Sequence, residues 1–246
     1  MPEPSIREFA DTAVDPPVRG FLHTPESPND NGLLLTHSAG GNAQAPLLRA
    51  LADTFAANGF MVLRCNLPFR QVRSFGPPGP GDAARDRAGL KNAIEAMKRI
   101  LADGVKENVG APRLADVARR GNSNGGLMRI FLGGHSYGGR QSSMLCAEES
   151  DLVAGLLLSY PLHPPRRSEQ QRTQHLPDLR TPTLFVHGTR DPFGSIEELQ
   201  RAMKMIPAGT NLLSVEGAGH DLGFKGKAKE GNLAATILAE FRALVA

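Results

Sequence analysis

An α/β fold, with a doubly wound and mostly parallel sheet flanked by helices, is predicted by three features of the sequence. Short apolar runs alternate with segments of helical period, the pattern of strands covered by crossover helices. The runs are continuous rather than alternating, as in strands buried on both faces. Helix stop and start signals, Asn58-Gly59 and a Ser195–Glu198 capping box, fall at joins between the two patterns.

Taken in order, Gly32 to Leu35 reads as a buried strand ending at Thr36-His37. The next helix carries Leu47, Leu48, Leu51 and Phe55 on one face, and Asn58-Gly59 gives it a left-handed stop. Phe60 to Cys65 follows as a strand. A second helix places Leu90, Ile94, Met97 and Leu101 at alternating steps of four and three. Ile130 to Gly133, Leu152 to Ser159 and Thr183 to Val186 are the next strands. The capping box opens a helix with Ile196, Leu199, Met203 and Ile206 turned inward. Leu212 to Val215 is the last strand, and Leu233, Ile237, Phe241 and Leu244 line the last helix.

The 246 residues are ample for one domain with a real core, and 1–246 is read as a single domain. Gly76-Pro77-Pro78-Gly79-Pro80-Gly81 must be a loop. Residues 103–126, mixed in polarity and rich in glycine, read as a surface insertion. Only Pro161 to Thr181 separates two successive strands beyond the middle of the chain, which leaves no room for a large cap domain.

Composition excludes several classes. Hydrophobic residues at 40% and charged residues at 22% rule out disorder along the whole chain. A net charge of +3, with its basic residues scattered, does not suit a nucleic-acid partner. The richest apolar run, Leu152 to Leu158, is far short of the roughly 20 residues that span a bilayer. Met1-Pro2-Glu3-Pro4 lacks the basic-then-apolar pattern of a signal peptide. Cys65 and Cys146 form no CxxC pair and read as buried apolar residues of a reducing compartment. The seven histidines show no HExxH or paired ligand spacing, so neither metal nor other cofactor is expected. The expectation is a cytoplasmic protein without membrane or nucleic-acid partners, with homodimer formation left open.

The informative residues are Gly134-His135-Ser136-Tyr137-Gly138, which follow a strand and precede a helix-like stretch from Gly139. A serine on a sharp strand-to-helix turn projects its hydroxyl above the sheet edge, and the tight turn needs small flanking residues. Such a serine needs a base, and the base an orienting carboxylate, both from loops after later strands. Asp191, after the strand ending at Val186, is the candidate acid. His220, after the strand ending at Val215, is the candidate base. Glu216 and Asp221 flank the histidine too closely to meet it from another strand end. A developing oxyanion would be met by the Tyr137 N–H and by a donor from Thr36-His37-Ser38-Ala39-Gly40-Gly41, with Ala39 preferred and Ser38 next. His37 and His187 read as packing or loop-orienting residues, and His135 as pointing away from the site.

With the 134–138 elbow, the His37 to Gly41 loop, Asp191 and His220, the chain resembles the α/β-hydrolase superfamily over essentially its whole length. Leu63-Arg64-Cys65-Asn66-Leu67-Pro68-Phe69-Arg70 and Phe131-Leu132-Gly133-Gly134-His135-Ser136 narrow the likeness to the dienelactone-hydrolase-like branch that includes testis-expressed and KANSL-like proteins. It departs from dienelactone hydrolases proper, which use a cysteine nucleophile where this chain has Ser136. Many relatives begin the oxyanion loop His-Gly, where this one has His37-Ser38. The resemblance implies a serine hydrolase of small carboxylic esters or thioesters acting through an acyl-enzyme. Acyl transfer or perhydrolysis with the same residues, and a non-catalytic binding module, are the competing expectations.

For a small-molecule ester substrate, Phe69, Tyr137, Leu162 and Phe224 are the expected wall residues. Arg70 and Arg73, just past the strand ending at Cys65, would suit a substrate carboxylate, against the plainer reading of solvated surface arginines.

Overall fold

The computed structural model describes residues 4–108, 128–149, 151–224 and 233–246. Eight strands make one sheet: β1 (Ser5–Asp11), β2 (Val18–Thr24), β3 (Asn31–Thr36), β4 (Met61–Cys65), β5 (Arg129–His135), β6 (Leu152–Leu158), β7 (Thr183–Gly188) and β8 (Thr210–Val215). Their order across the sheet is β1-β2-β4-β3-β5-β6-β7-β8. β1 and β2 are antiparallel to their neighbours, and β4, β3 and β5 to β8 run parallel. The helices are α1 (Pro46–Ala56), α2 (Pro68–Val72), α3 (Asp82–Asn108), α4 (Tyr137–Glu148), α5 (Ile196–Met203) and α6 (Leu233–Val245).

The continuous apolar strands work as expected because both faces are covered. Leu33, Leu35, Val62, Phe131, Leu156, Leu158 and Val186 pack on α1 and α6. Leu34, Leu63, Leu132, Leu157 and Phe185 point the other way and pack on α3, α4 and α5. The period of two sends neighbouring residues of one run into two separate cores. Cys65 and Cys146 are buried in the second of these, where burial pushes each thiol up to about 12.

Three elements escape the sequence pattern. β1 is a mostly exposed edge strand whose polar residues carry no apolar run. β2 alternates instead of running apolar, since it lies near the edge of the sheet. α2 is a five-residue helix opened by Pro68. α3 reaches Asn108, so the expected 103–126 insertion begins inside a helix; from residue 109 onward it lies outside the described residues. Between β6 and β7 the chain makes only loop and a short 3-10 turn, Leu176–Asp178, and no cap domain is inserted there. Among the described residues no helix is long and apolar enough to cross a membrane.

Candidate active site

β5 delivers Ser136 at its carboxyl end, and α4 begins at the next residue. The Ser136 N–H donates to the Leu158 carbonyl at 2.8 Å, and its own carbonyl accepts from the Arg140 N–H at 2.9 Å. One residue therefore ends a strand ladder and starts a helix. The reversal leaves Ser136 at φ 54° and ψ −116°, a region that L-residues rarely occupy. A Cβ on Gly134 would lie 2.6 Å from the Gly138 carbonyl carbon, and one on Gly138 would strike the His37 carbonyl oxygen. Both flanking positions must be glycine for the turn to close against the β3 loop.

Above this turn three side chains meet. The Ser136 hydroxyl donates to His220 Nε2 at 2.7 Å, and His220 Nδ1–H donates to Asp191 Oδ2 at 2.8 Å. His220 lies in the turn after β8 and Asp191 in the turn after β7, so adjacent parallel strands place base and acid side by side. The buried Asp191 carboxylate is fixed further by the Phe193 N–H, which donates to Oδ1 at 2.9 Å. Phe193 also covers the His220 ring, with centroids 4.2 Å apart.

His135 does not point away from this group. Its Nε2–H donates to the His220 carbonyl at 2.7 Å, and the two rings lie 5.4 Å apart. Strand alternation puts His135 on the same face as Phe131, where the turn after β8 arrives. Burial pulls His135 down to about 4, so it serves as a neutral donor. His187 orients a loop, donating from Nε2 to the Gly194 carbonyl at 2.9 Å.

The loop after β3 is held from several directions. The Leu67 N–H donates to His37 Nε2 at 3.1 Å, which leaves the ring proton on Nδ1 to donate to the Ser38 carbonyl at 2.8 Å. Gly41 N–H donates to that same carbonyl at 3.0 Å. In a trans peptide the N–H opposes the carbonyl, so these bonds turn the Ala39 N–H away from His37. The far end is pinned at Ala43, whose N–H donates to Asn66 Oδ1 at 2.8 Å and whose carbonyl accepts from Arg64. Burial brings His37 to about 4.

The family model for the alpha/beta hydrolase domain matches residues 29–245. The chain belongs to this family. Solved structures agree in fold. An Anabaena variabilis dienelactone hydrolase gives a TM-score of 0.67 at 17% identity, with 100% of both chains covered. A Pyrococcus furiosus esterase gives 0.67 at 13% identity over 98% of this chain and 92% of the other. A serine hydrolase without lid from Xanthomonas campestris gives 0.62 at 15% identity over 100% and 97%.

Within this hydrolase-family chain the expected wall and binding residues divide sharply. Arg70 is buried, and its guanidinium donates to the carbonyls of Ala39 at 2.8 Å, Gly41 at 2.9 Å, Gly76 at 2.7 Å and Arg73 at 3.1 Å. With its donors occupied by main chain, it is a clamp on the β3 loop rather than a partner for a carboxylate. Arg73 pairs with Asp82 at the surface. Phe69 and Leu162 are core residues at 3% and 0% exposure and present almost no wall. α2 turns Phe69 inward onto His37 and Tyr137, and Leu162 fills the space beneath Gly194. Tyr137 is half-buried, and Phe224 is partly buried against the α6-side core.

Asp86 was missed. It is wholly buried, accepting from the Phe69 N–H at 3.0 Å and the Tyr137 hydroxyl at 2.7 Å. The signal was a carboxylate one helical turn before Leu90, on the apolar stripe of α3.

Proposed function

We propose that the chain is a serine hydrolase that cleaves small carboxylic esters or thioesters through an acyl-enzyme. The observation that carries this reading is the continuous relay of Ser136, His220 and Asp191 at a strained strand-to-helix turn. Ser136 Oγ attacks the substrate carbonyl carbon as its proton passes to His220 Nε2. Asp191 holds the imidazole in the tautomer that accepts this proton and stabilises the cation formed. The N–H groups of Ala39 and Tyr137 receive the oxyanion. Collapse expels the alcohol or thiol, which takes the proton from His220. Water, deprotonated by His220, then attacks the acyl-serine and frees the acid.

Intact-mass analysis after a fluorophosphonate probe tests this reading without a known substrate. One adduct is expected on the native protein and none on Ser136→Ala or His220→Ala. No adduct on the native protein, under conditions that label a control hydrolase, would favour a non-catalytic binding module instead.

A further inference from the structure

Arg140 stands in the first turn of α4, four residues after Ser136. Its guanidinium makes no ion pair or hydrogen bond among the described residues, and its Nε is buried without a partner. Facing the same outer side of α4 is the segment that follows β6: Ser143 Oγ, which donates to the Arg140 carbonyl at 2.9 Å, lies 2.8 Å from His175 Nε2. That segment carries Arg172, fastened just beyond β6. Its N–H donates to the Leu162 carbonyl at 2.8 Å, its carbonyl accepts from the Tyr160 hydroxyl at 2.6 Å, and its Nη1 donates to the Pro161 carbonyl at 3.1 Å. No carboxylate pairs with Arg172 among the described residues. Leu158, the last residue of β6, accepts from the Ser136 N–H, so the segment that carries Arg172 leaves the sheet beside the Ser136 turn, and Arg140 lies one helical turn beyond it.

Three costs fall on this pair, and no carboxylate among the described residues offsets them. Each cation is partly withdrawn from water. The two repel each other: burial and the charge of Arg140 lower the affinity of Arg172 for its proton. Arg140 also sits at the positive end of the α4 dipole, in a first turn with no acidic residue.

We propose that Arg140 and Arg172 bind an acidic group of the substrate, a carboxylate a few bonds from the scissile carbonyl. The inference rests on Ser136 being the nucleophile and names the substrate class: half-esters or half-thioesters of short dicarboxylic acids. The carboxylate supplies the missing counter-charge, and a planar guanidinium can grip it through two parallel N–H donors.

Calorimetric titration of the Ser136→Ala protein with monomethyl glutarate and with dimethyl glutarate tests the site without turnover. The mono-acid is expected to bind more tightly than the diester, and increasingly so at low salt. Arg140→Gln or Arg172→Gln, each added to Ser136→Ala, should weaken mono-acid binding about tenfold. Equal binding of the two esters, or mono-acid affinity unchanged in both arginine variants, would overturn the proposal. In the protein with Ser136 intact, the kcat/KM ratio for p-nitrophenyl hemiglutarate over p-nitrophenyl butyrate should fall similarly, while the charge control Arg201→Gln on α5 leaves it unchanged. Thermal melting guards against misfolding: removing an uncompensated cation should leave Tm level or raise it. Binding of the mono-acid without probe labelling would refute the nucleophile and keep the anion site; labelling with indifference to the acid would refute the site alone.

Discussion

Arg70 and Arg140 stand on opposite flanks of Ser136, and their guanidinium groups end in opposite states. On the Arg70 flank the polar contacts close on one another: Arg70 on four carbonyls, His37 between Leu67 and Ser38, Asp86 between Phe69 and Tyr137. On the Arg140 flank two half-buried cations have no carboxylate partner among the described residues. A closed network can hold a shape but has little left to offer a ligand. Unanswered charge does the reverse, since it makes folding costlier and leaves binding capacity for something that arrives later.

The relay between the two flanks sets the scale for testing this contrast. Asp191→Asn should lower kcat on order of ten-thousandfold, as in the serine-protease precedent, because the imidazole loses its orienting anion. Burst kinetics on a p-nitrophenyl ester would measure it. Arg70→Met comes next. By loosening the Ala39 and Gly41 peptides it should cost about a hundred- to a thousandfold in kcat, the range for loss of an oxyanion donor. KM should change little, and Arg70→Lys should recover only part, because a point charge cannot hold four carbonyls. If Arg70→Met raised KM for an acidic ester with kcat intact, Arg70 would be a ligand-binding arginine and the contrast would collapse.

Much of this was legible from residue order alone. Buried strands announce themselves by continuous apolar runs, and a glycine-flanked serine between strand and helix has few other uses. Asp191 and His220 could be placed because each follows a recognisable strand. Arg70 could not be read correctly, since a carbonyl clamp depends on how the 36–43 and 73–76 loops fold back, and loops carry no periodicity. His135 was misread for a related reason. Its face was computable from strand alternation, but the partner on that face, the His220 carbonyl, arrives 85 residues later. β1 and β2 were invisible because a sheet edge does not require apolar runs.

The closed flank should also be sensitive to acid. Burial draws His37 and His135 down to about 4, against an ordinary imidazole value of about 6.5, so the folded chain refuses protons that the unfolded chain accepts. Their contribution to stability is whole above pH 6.5 and is lost as pH falls toward 4. His23 and His175 are shifted the same way, which deepens the loss. Urea midpoints at pH 7.5, 5.5 and 4.5 should decline in that order. His37→Asn should flatten the curve if its neutral imidazole is one of the groups responsible.

The smallest effect expected is from Tyr137→Phe, and it bears on what the closed flank is for. The hydroxyl donates to Asp86 Oδ2, while Asp86 Oδ1 stays bound to the Phe69 N–H. Removing the hydroxyl leaves one buried carboxylate oxygen short of a donor, a loss of about 1–3 kcal/mol in stability. Burial already raises the Asp86 carboxyl above its ordinary value, and loss of the Tyr137 donor should raise it further. The variant should therefore lose less stability in acid than at pH 8, because protonation of Asp86 removes the need for that donor. Its kcat should stay within a few fold, since the phenyl ring still packs edge-on against Phe69, 5.8 Å away. A large fall in kcat at unchanged stability would mean that the hydroxyl takes part in the chemistry, and that the Arg70 flank does more than hold its shape.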